Sequence, residues 1–201
     1  MDDVIRAAAG GDREAFAALV EEYQKPVYNL CLRMVGNQED AADLAQEAFL
    51  RVWKGLPFFK FDSAFTTWLY RLTNNVCIDF LRRQKRYTAV STTFLDDDEQ
   101  EQDMQLEDPA QGPEAQAIHR EDKAALEQAM DTLEVEYRQA LTLRAVNGLS
   151  YAEIAQVLDV KEGTVKSRIS RAREKLRKKL LDSGNLSPVS ASIQAERGQN
   201  A

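Results

Sequence analysis

With 201 residues, 44% of them hydrophobic, the chain is long enough for one or two packed cores, and no apolar run approaches the length needed to cross a bilayer. Twenty-six basic and 33 acidic residues give a net charge of −7, so any contact with nucleic acid must come from local concentration of positive charge rather than from the chain as a whole. Cys31 and Cys77 belong to no CxxC or Cys/His cluster, and no Gly-rich phosphate loop, GxSxG or HExxH is present, which argues against a metal centre, a disulfide framework, a cofactor or a hydrolytic site.

The first residues, MDDVIRAAAGGDREAF, carry acids where a secretory signal carries cations and have no apolar segment, so the chain is expected in the cytoplasm, without direct membrane insertion. After Gly11-Asp12, apolar residues recur at helical spacing: Phe16, Leu19, Val20, Tyr23, Val27, Leu30, Cys31, Met34 and Val35. The stripe continues past Pro26, and both cysteines read as small buried apolar residues. Asn37 is a fitting N-cap for a second helix with Ala41, Leu44, Ala45, Ala48, Phe49 and Val52 turned inward, and Pro57 closes that region. A third helical pattern runs from about Ser63 to Arg83, with Phe65, Trp68, Leu69, Leu72, Val76, Phe80 and Leu81 on its apolar face. Trp68 and Phe65 are explained well enough as core. Phe58, Phe59 and Phe61 are not, because they crowd a short loop after Pro57 where burying all three is difficult. The same helix ends in Arg82, Arg83, Lys85 and Arg86. Exposed aromatics beside a positive groove are what captures an unstacked base, whereas the cations alone would equally suit a helix C-terminus.

Charge then divides the chain. Residues 1–87 hold twelve basic and twelve acidic side chains, 88–118 hold nine acids and no Lys or Arg, and 119–201 hold fourteen basic and twelve acidic. The middle segment, with its DDDEQEQD run and two prolines, is too polar to bury a core and reads as an extended or disordered linker. His119, beside Arg120 and Glu121, reads as a solvated side chain rather than a catalyst. Helices are expected over 124–133 and 137–146, followed by LSYAEIAQVLDVKEGTVKSRISRAREKL from Leu149. In that stretch Ile154, Ala155 and Leu158 repeat on one helix, and Val165, Ile169, Ala172, Leu176 and Leu180 on a second. Only Asp159 to Gly163 separates them, with Gly163 available for a tight turn, and this is the layout of a helix-turn-helix. Between Lys161 and Lys179 nine Lys or Arg face two acids. Lys166, Ser167, Ser170 and Arg171 fall between the apolar positions near the start of the second helix, where a recognition helix presents side chains to base edges. Arg168, Arg173, Lys175, Arg177, Lys178 and Lys179 can reach phosphates. The tail from Ser183 reads as frayed. With almost no period-two alternation, the expectation is an all-α protein of two small helical domains, 1–87 and 119–182, joined by the flexible acidic linker 88–118 and followed by a disordered tail.

Three blocks in this order, DLAQEAFLRVWKGL (Asp43 to Leu56), DSAFTTWLYRLTNNVCIDFLRRQKR and LSYAEIAQVLDVKEGTVKSRISRAREKLRKKL, with an acidic linker between the last two, resemble a bacterial RNA polymerase sigma factor of the extracytoplasmic function (ECF) class in the sigma-70 family. The likeness spans residues 5–87 and 120–180. It implies that Asp43, Gln46, Glu47, Phe49, Leu50 and Trp53 bind the clamp helices of the polymerase β′ subunit, with the β flap as a further contact. It also implies that Phe58, Phe59, Lys60, Phe61, Asp62, Ser63 and Ala64, with Asn75, capture a flipped base of the minus-ten element, while Arg71, Arg82, Arg83 and Arg86 hold its backbone. Lys166, Ser167, Ser170 and Arg171 would read the minus-thirty-five element, and Arg144, Tyr151 and Arg173 would hold its phosphates. Phe61 stands where many members carry Gly, a departure that bears on the base preferred there. The likeness further implies core RNA polymerase, duplex and melted promoter DNA, and an anti-sigma factor as partners, and no small-molecule substrate; the linker acids, Asp96 to Asp108, are expected from their charge to mimic nucleic acid and thread the positive channel of the polymerase. The free chain should bind promoters weakly, because polymerase sets the spacing of two small reading heads. Two other readings stand beside it: a helix-turn-helix regulator independent of polymerase, which leaves the QEAFLRVW helix without a use, and a metal-dependent nuclease using Glu47, Asp62 and Asp79, whose carboxylates show no ligand-like clustering in sequence.

Overall fold

The computed structural model describes the backbone of residues 1–91 and 124–182 and the side chains of 1–86 and 124–182. The expectations for the acidic segment past residue 91, for His119 and for the tail from Ser183 therefore lie outside the described residues. Among those described, the regular elements are all helical: α1 (Asp2–Ala9), α2 (Arg13–Val35), α3 (Gln38–Gly55), a 3-10 turn (Leu56–Phe58), α4 (Phe65–Ser91), α5 (124–131), α6 (Val135–Ala145), α7 (Tyr151–Leu158) and α8 (Glu162–Asp182).

The helices start and stop where their side chains satisfy orphan backbone groups. Asp12 accepts from the N–H of Glu14 (2.9 Å) and Ala15 (3.1 Å), which opens α2, and Asn37 accepts from Asp40 (2.9 Å), which opens α3. Between them Gly36 sits at φ 75° and donates to the Leu32 carbonyl at 2.8 Å, a left-handed cap that favours glycine. Helix α2 runs through Pro26 without a break. Gly55, the last residue of α3, is needed for a different reason: a Cβ there would lie 3.1 Å from the Trp68 ring. Helix α1 was not anticipated, because eight residues carrying two buried positions, Ile5 and Ala8, offer too short a pattern to read. Helix α4 extends to Ser91, past the expected boundary at residue 87.

Helices α1 to α4 surround Ile5, Leu19, Val27, Leu30, Met34, Val52, Leu56 and Leu69, all nearly inaccessible. Cys31 and Cys77, far apart in sequence, meet there side by side as free thiols with Sγ atoms 3.7 Å apart. The Cys77 contact and burial together push the Cys31 pKa far up, so both behave as apolar filler. In the second unit Leu143, Ile154, Val165, Ile169 and Ala172 are among the deepest positions.

The two units are packed on each other, α2 against α6 and α4 against α7, and their buried residues form one hydrophobic cluster. The polar part of this contact is specific. Gln139 Nε2 donates to Asn74 Oδ1 at 2.9 Å, both residues being buried. Arg138 donates to the Met34 carbonyl at 3.0 Å, one of the acceptors left over at the end of α2, and Asn147 donates to the Pro26 carbonyl at 3.3 Å. Arg138 also holds the Asp131 (2.7 Å) and Leu133 (3.2 Å) carbonyls, and its burial lowers its pKa, opposed by the neighbouring Asp131 charge. Arg33 and Glu127 add an ion pair at 2.9 Å.

Candidate nucleic-acid interface

The helix-turn-helix is assembled by local chemistry. Ser150 and Glu153 form a reciprocal capping box at the start of α7: Ser150 Oγ accepts from the Glu153 N–H (3.2 Å), and Glu153 Oε2 accepts from the Ser150 N–H (2.8 Å) and hydroxyl (2.6 Å). These bonds hold the Glu153 pKa below its ordinary value. Asp159 ends α7 at φ 54°, where a short polar side chain tolerates the left-handed region. Because Asp159 makes the turn, α8 begins at Glu162, and Gly163 lies inside its first turn rather than forming the bend expected of it. Val165, Ile169, Ala172, Leu176 and Leu180 are all buried, as the spacing required.

That register leaves Lys166, Ser167, Ser170 and Arg171 exposed on α8. Lys166 pairs with Glu162 at 2.9 Å, which raises its pKa, and Ser167 donates to the Thr164 carbonyl at 2.9 Å. Arg144 lies over the Tyr151 ring at 5.2 Å and donates to the Leu149 carbonyl at 3.0 Å, and Lys166 approaches the same ring at 5.8 Å. Three of the expected contacts are thus clustered at the start of the motif. Arg173 is half-buried. Two cations expected to be available are engaged within the chain: Arg168 faces Glu136 at 3.6 Å, and Lys175 pairs with Glu134 and covers the Tyr137 ring at 4.9 Å. Arg177, Lys178 and Lys179 are exposed.

In the first unit the loop after Pro57 divides its phenylalanines. Phe58 is 80% exposed, whereas Phe59 is half-buried against Trp68 (5.0 Å between centroids) and Phe65 (6.0 Å). Phe61 is partly exposed, packs at a tilt on Phe59 with centroids 4.7 Å apart and adopts φ 60°, outside the range comfortable for a bulky side chain. Lys60, Asp62 and Ala64 are exposed and Ser63 is half-buried. Arg71, Asn75 and Arg82, all on α4, line a groove of about 570 Å³ between the two units. Glu136, Asp159 and Arg168 form its far side. Arg83 and Arg86 are exposed, with Arg86 donating to the Arg82 carbonyl at 3.3 Å.

On α3 the expected polymerase-facing residues split between two roles. Asp43, Gln46 and Leu50 are exposed at helical spacing, and Leu50 is 53% exposed, high for a leucine. Phe49 and Trp53 are half-buried, and Trp53 packs on Phe16 with centroids 4.8 Å apart. Glu47 is bound by Arg51 (2.8 Å), which also reaches Asp79 (3.4 Å). A guanidinium already occupies the space between these carboxylates, and no group of metal-ligating side chains occurs among the described residues. The nuclease reading therefore has no centre to work with there. No helix among the described residues is long and apolar enough to cross a membrane.

A helix-turn-helix with an exposed polar and basic reading edge, joined to a second helical unit bearing an aromatic loop and cations, defines a helical DNA-binding protein. Comparison with known proteins narrows this. Residues 19–87 match the family described as Sigma-70 region 2, and residues 123–176 match Sigma-70, region 4. The chain is 35% identical over 178 residues to the ECF RNA polymerase sigma factor SigW of Bacillus subtilis, covering 89% of this chain and 95% of that one. It is 41% identical over 171 residues to the RNA polymerase sigma-H factor of Pseudomonas aeruginosa, covering 85% and 88%. Among solved structures, CnrH in complex with the cytosolic domain of CnrY superposes with a TM-score of 0.65 at 25% identity, covering 90% of this chain and 96% of that one. The chain belongs to the ECF class of the sigma-70 family.

Proposed function

We propose that this chain is an alternative, signal-responsive sigma factor that binds core RNA polymerase in the cytoplasm, directs it to promoters and melts the DNA there, with no catalysis of its own. The observation that carries this is the presence, on one chain, of an exposed recognition edge on α8 and an aromatic loop with an outward Phe58 ring on the other unit. A repressor or activator would use the first and leave the second idle. In this reading Lys166, Ser167, Ser170 and Arg171 read the minus-thirty-five duplex, while Arg144, Tyr151 and Arg173 hold its phosphates. The loop from Phe58 to Ala64 with Asn75 takes up an unpaired minus-ten base, and Arg71, Arg82, Arg83 and Arg86 steady the strand.

The energetics suit melting without ATP. Unpairing and unstacking a base costs a few kcal/mol, and stacking it on an aromatic side chain returns about 1–3 kcal/mol per base. The exposed Asp43, Gln46 and Leu50 form the outward part of the polymerase-binding face, with Glu47 at its edge, and the half-buried Phe49 and Trp53 hold α3 in place behind it. The solved relative CnrH is bound by the cytosolic domain of CnrY, which supports an anti-sigma factor as a further partner of this chain.

The packed arrangement is a closed one. Arg71, Asn75 and Arg82 are exposed but line the groove that the C-terminal unit borders, so separation of the two units would widen their access to DNA. Polymerase, which must hold the reading heads at promoter spacing, supplies the energy for that separation. In vitro transcription from a bacterial genomic fragment library, with core polymerase with and without the chain and with transcript starts sequenced, tests the reading. New starts that share two spaced upstream motifs are expected. Specific DNA retention by the chain alone with no new starts would overturn it in favour of an ordinary regulator.

A further inference from the structure

Of the two non-glycine residues with positive φ among those described, Phe61 and Asp159, Phe61 is the bulky one and so the less comfortable. At φ 60° a bulky residue is an outlier, and such conformations persist only where the surroundings over-determine them. Two contacts do so. On one side the ring packs on Phe59 at 4.7 Å, which is itself wedged on Trp68 and Phe65 of α4. The second is the guanidinium of Arg6, centred 4.4 Å above the Phe61 ring. Arg6 belongs to α1, more than fifty residues earlier, and neither the sequence patterns nor the family roles assign it anything.

Its placement is not that of a loose surface arginine. Ile5 and Ala8 bury one side of α1, the Gly10 N–H donates to the Arg6 carbonyl at 3.0 Å, and the Asp12 N–H donates to the Ala7 carbonyl at 3.1 Å. The backbone at Arg6 is therefore fixed before its side chain reaches the loop. A chain of packed groups results, Trp68 to Phe59 to Phe61 to Arg6, tying α4 through the loop to α1. An exposed cation–π contact of this kind changes an equilibrium by roughly 2- to 5-fold.

We propose that Arg6 is a positioning residue for base selection: by clamping Phe61 in its left-handed turn it sets the shape of the pocket that takes an unpaired nucleobase. This rests on the reading of residues 58–64 as the base-capture loop. The contact chemistry is stacking of a neutral base on the exposed Phe58 ring of the loop, with the clamped Phe61 setting the shape of the loop around it. A glycine would adopt this turn unaided; Phe61 needs a clamp, and α1 supplies it.

The test uses holoenzyme reconstituted from core polymerase and the full chain, mixed with short random single-stranded DNA oligonucleotides, with the retained pool sequenced. The wild type is expected to enrich one base at the captured position. Arg6→Ala should flatten that preference by roughly 2- to 5-fold with the other positions unaffected, Arg6→Lys should keep part of it, and Phe61→Gly should make the pool indifferent to Arg6→Ala. This last coupling separates clamping from a direct contact. An Arg6→Ala effect equally large in the Phe61→Gly background, or no effect at all, would overturn the proposal while leaving the loop's role intact. If Phe58→Ala and Asp62→Ala also leave the pool unchanged, the base-capture reading itself falls and the proposal with it. Arg6 is exposed, so its replacement should lower the thermal unfolding midpoint by no more than about 4 °C, and that measurement accompanies the series.

Discussion

Replacing Gln139 by Leu should open the chain. Gln139 Nε2 donates to Asn74 Oδ1 at 2.9 Å across the contact between the units, and both side chains are buried. Without the donor, Asn74 Oδ1 stays buried and unpaired in the closed form but is hydrated in the open form. That penalty is about 1–3 kcal/mol, which lowers the ratio of closed to open chain by about 5- to 150-fold. A ligand that binds only the open form sees its apparent affinity rise by up to the same factor where the closed form dominates. Dyes attached to cysteines introduced at the exposed positions Glu14 and Lys178 would report the separation, since the native thiols are buried. Retention of single-stranded DNA by the free chain would report the functional consequence. The double variant Asn74→Leu/Gln139→Leu removes both polar groups and should close again, because exchanging both partners for apolar groups is nearly neutral. An unchanged dye distance and unchanged DNA retention in Gln139→Leu, with helicity intact, would refute the argument that this hydrogen bond holds the units together.

Other outcomes follow from single features. Ser150→Ala should cost about 1 kcal/mol in urea unfolding by removing half of the α7 capping box. Glu153, its partner, has a pKa below the ordinary 4.5 when folded, so its contribution is complete above that value and is lost as pH falls through the folded pKa; acid titration of Glu153→Gln should lack that component. Thr142 buries a hydroxyl that has no hydrogen-bond partner, so Thr142→Val should be neutral or stabilise by up to about 1 kcal/mol in the same unfolding assay. Cys31 and Cys77, buried together with the Cys31 thiolate strongly disfavoured, should resist iodoacetamide at pH 8 in the native chain and react fully in urea, as mass spectrometry would show.

Much of this molecule was written locally. Asn37, Asp12 and Ser150 stand at helix starts because a side-chain oxygen one residue ahead of the first turn satisfies a backbone N–H, a relation contained in three or four consecutive residues. The buried stripe of α8 and its exposed reading edge follow from a 3.6-residue period alone, and so does the separation of Leu50 from Val52 on α3. The α3 and α8 residues are also among those that carry the family likeness, so the function was legible from the same short-range patterns. Even Phe58 was visible as an anomaly, because a loop that short cannot bury three phenylalanines.

What the tertiary structure decided are relations between residues distant in the chain. Nothing in the sequence around Arg6 points to Phe61, and nothing around Asn74 points to Gln139, since polar pairs leave no periodicity. Nor could local pattern say that Arg168 and Lys175 would turn to Glu136 and Glu134, or that Cys31 would meet Cys77. Gly163 looked like the turn residue because glycine enters the left-handed region freely, yet Asp159 took that conformation, where the end of α7 required it. Helical periodicity is a property of one chain segment in water and apolar core. Partnership across a fold depends on where whole helices come to rest, and that is settled by packing of all of them together.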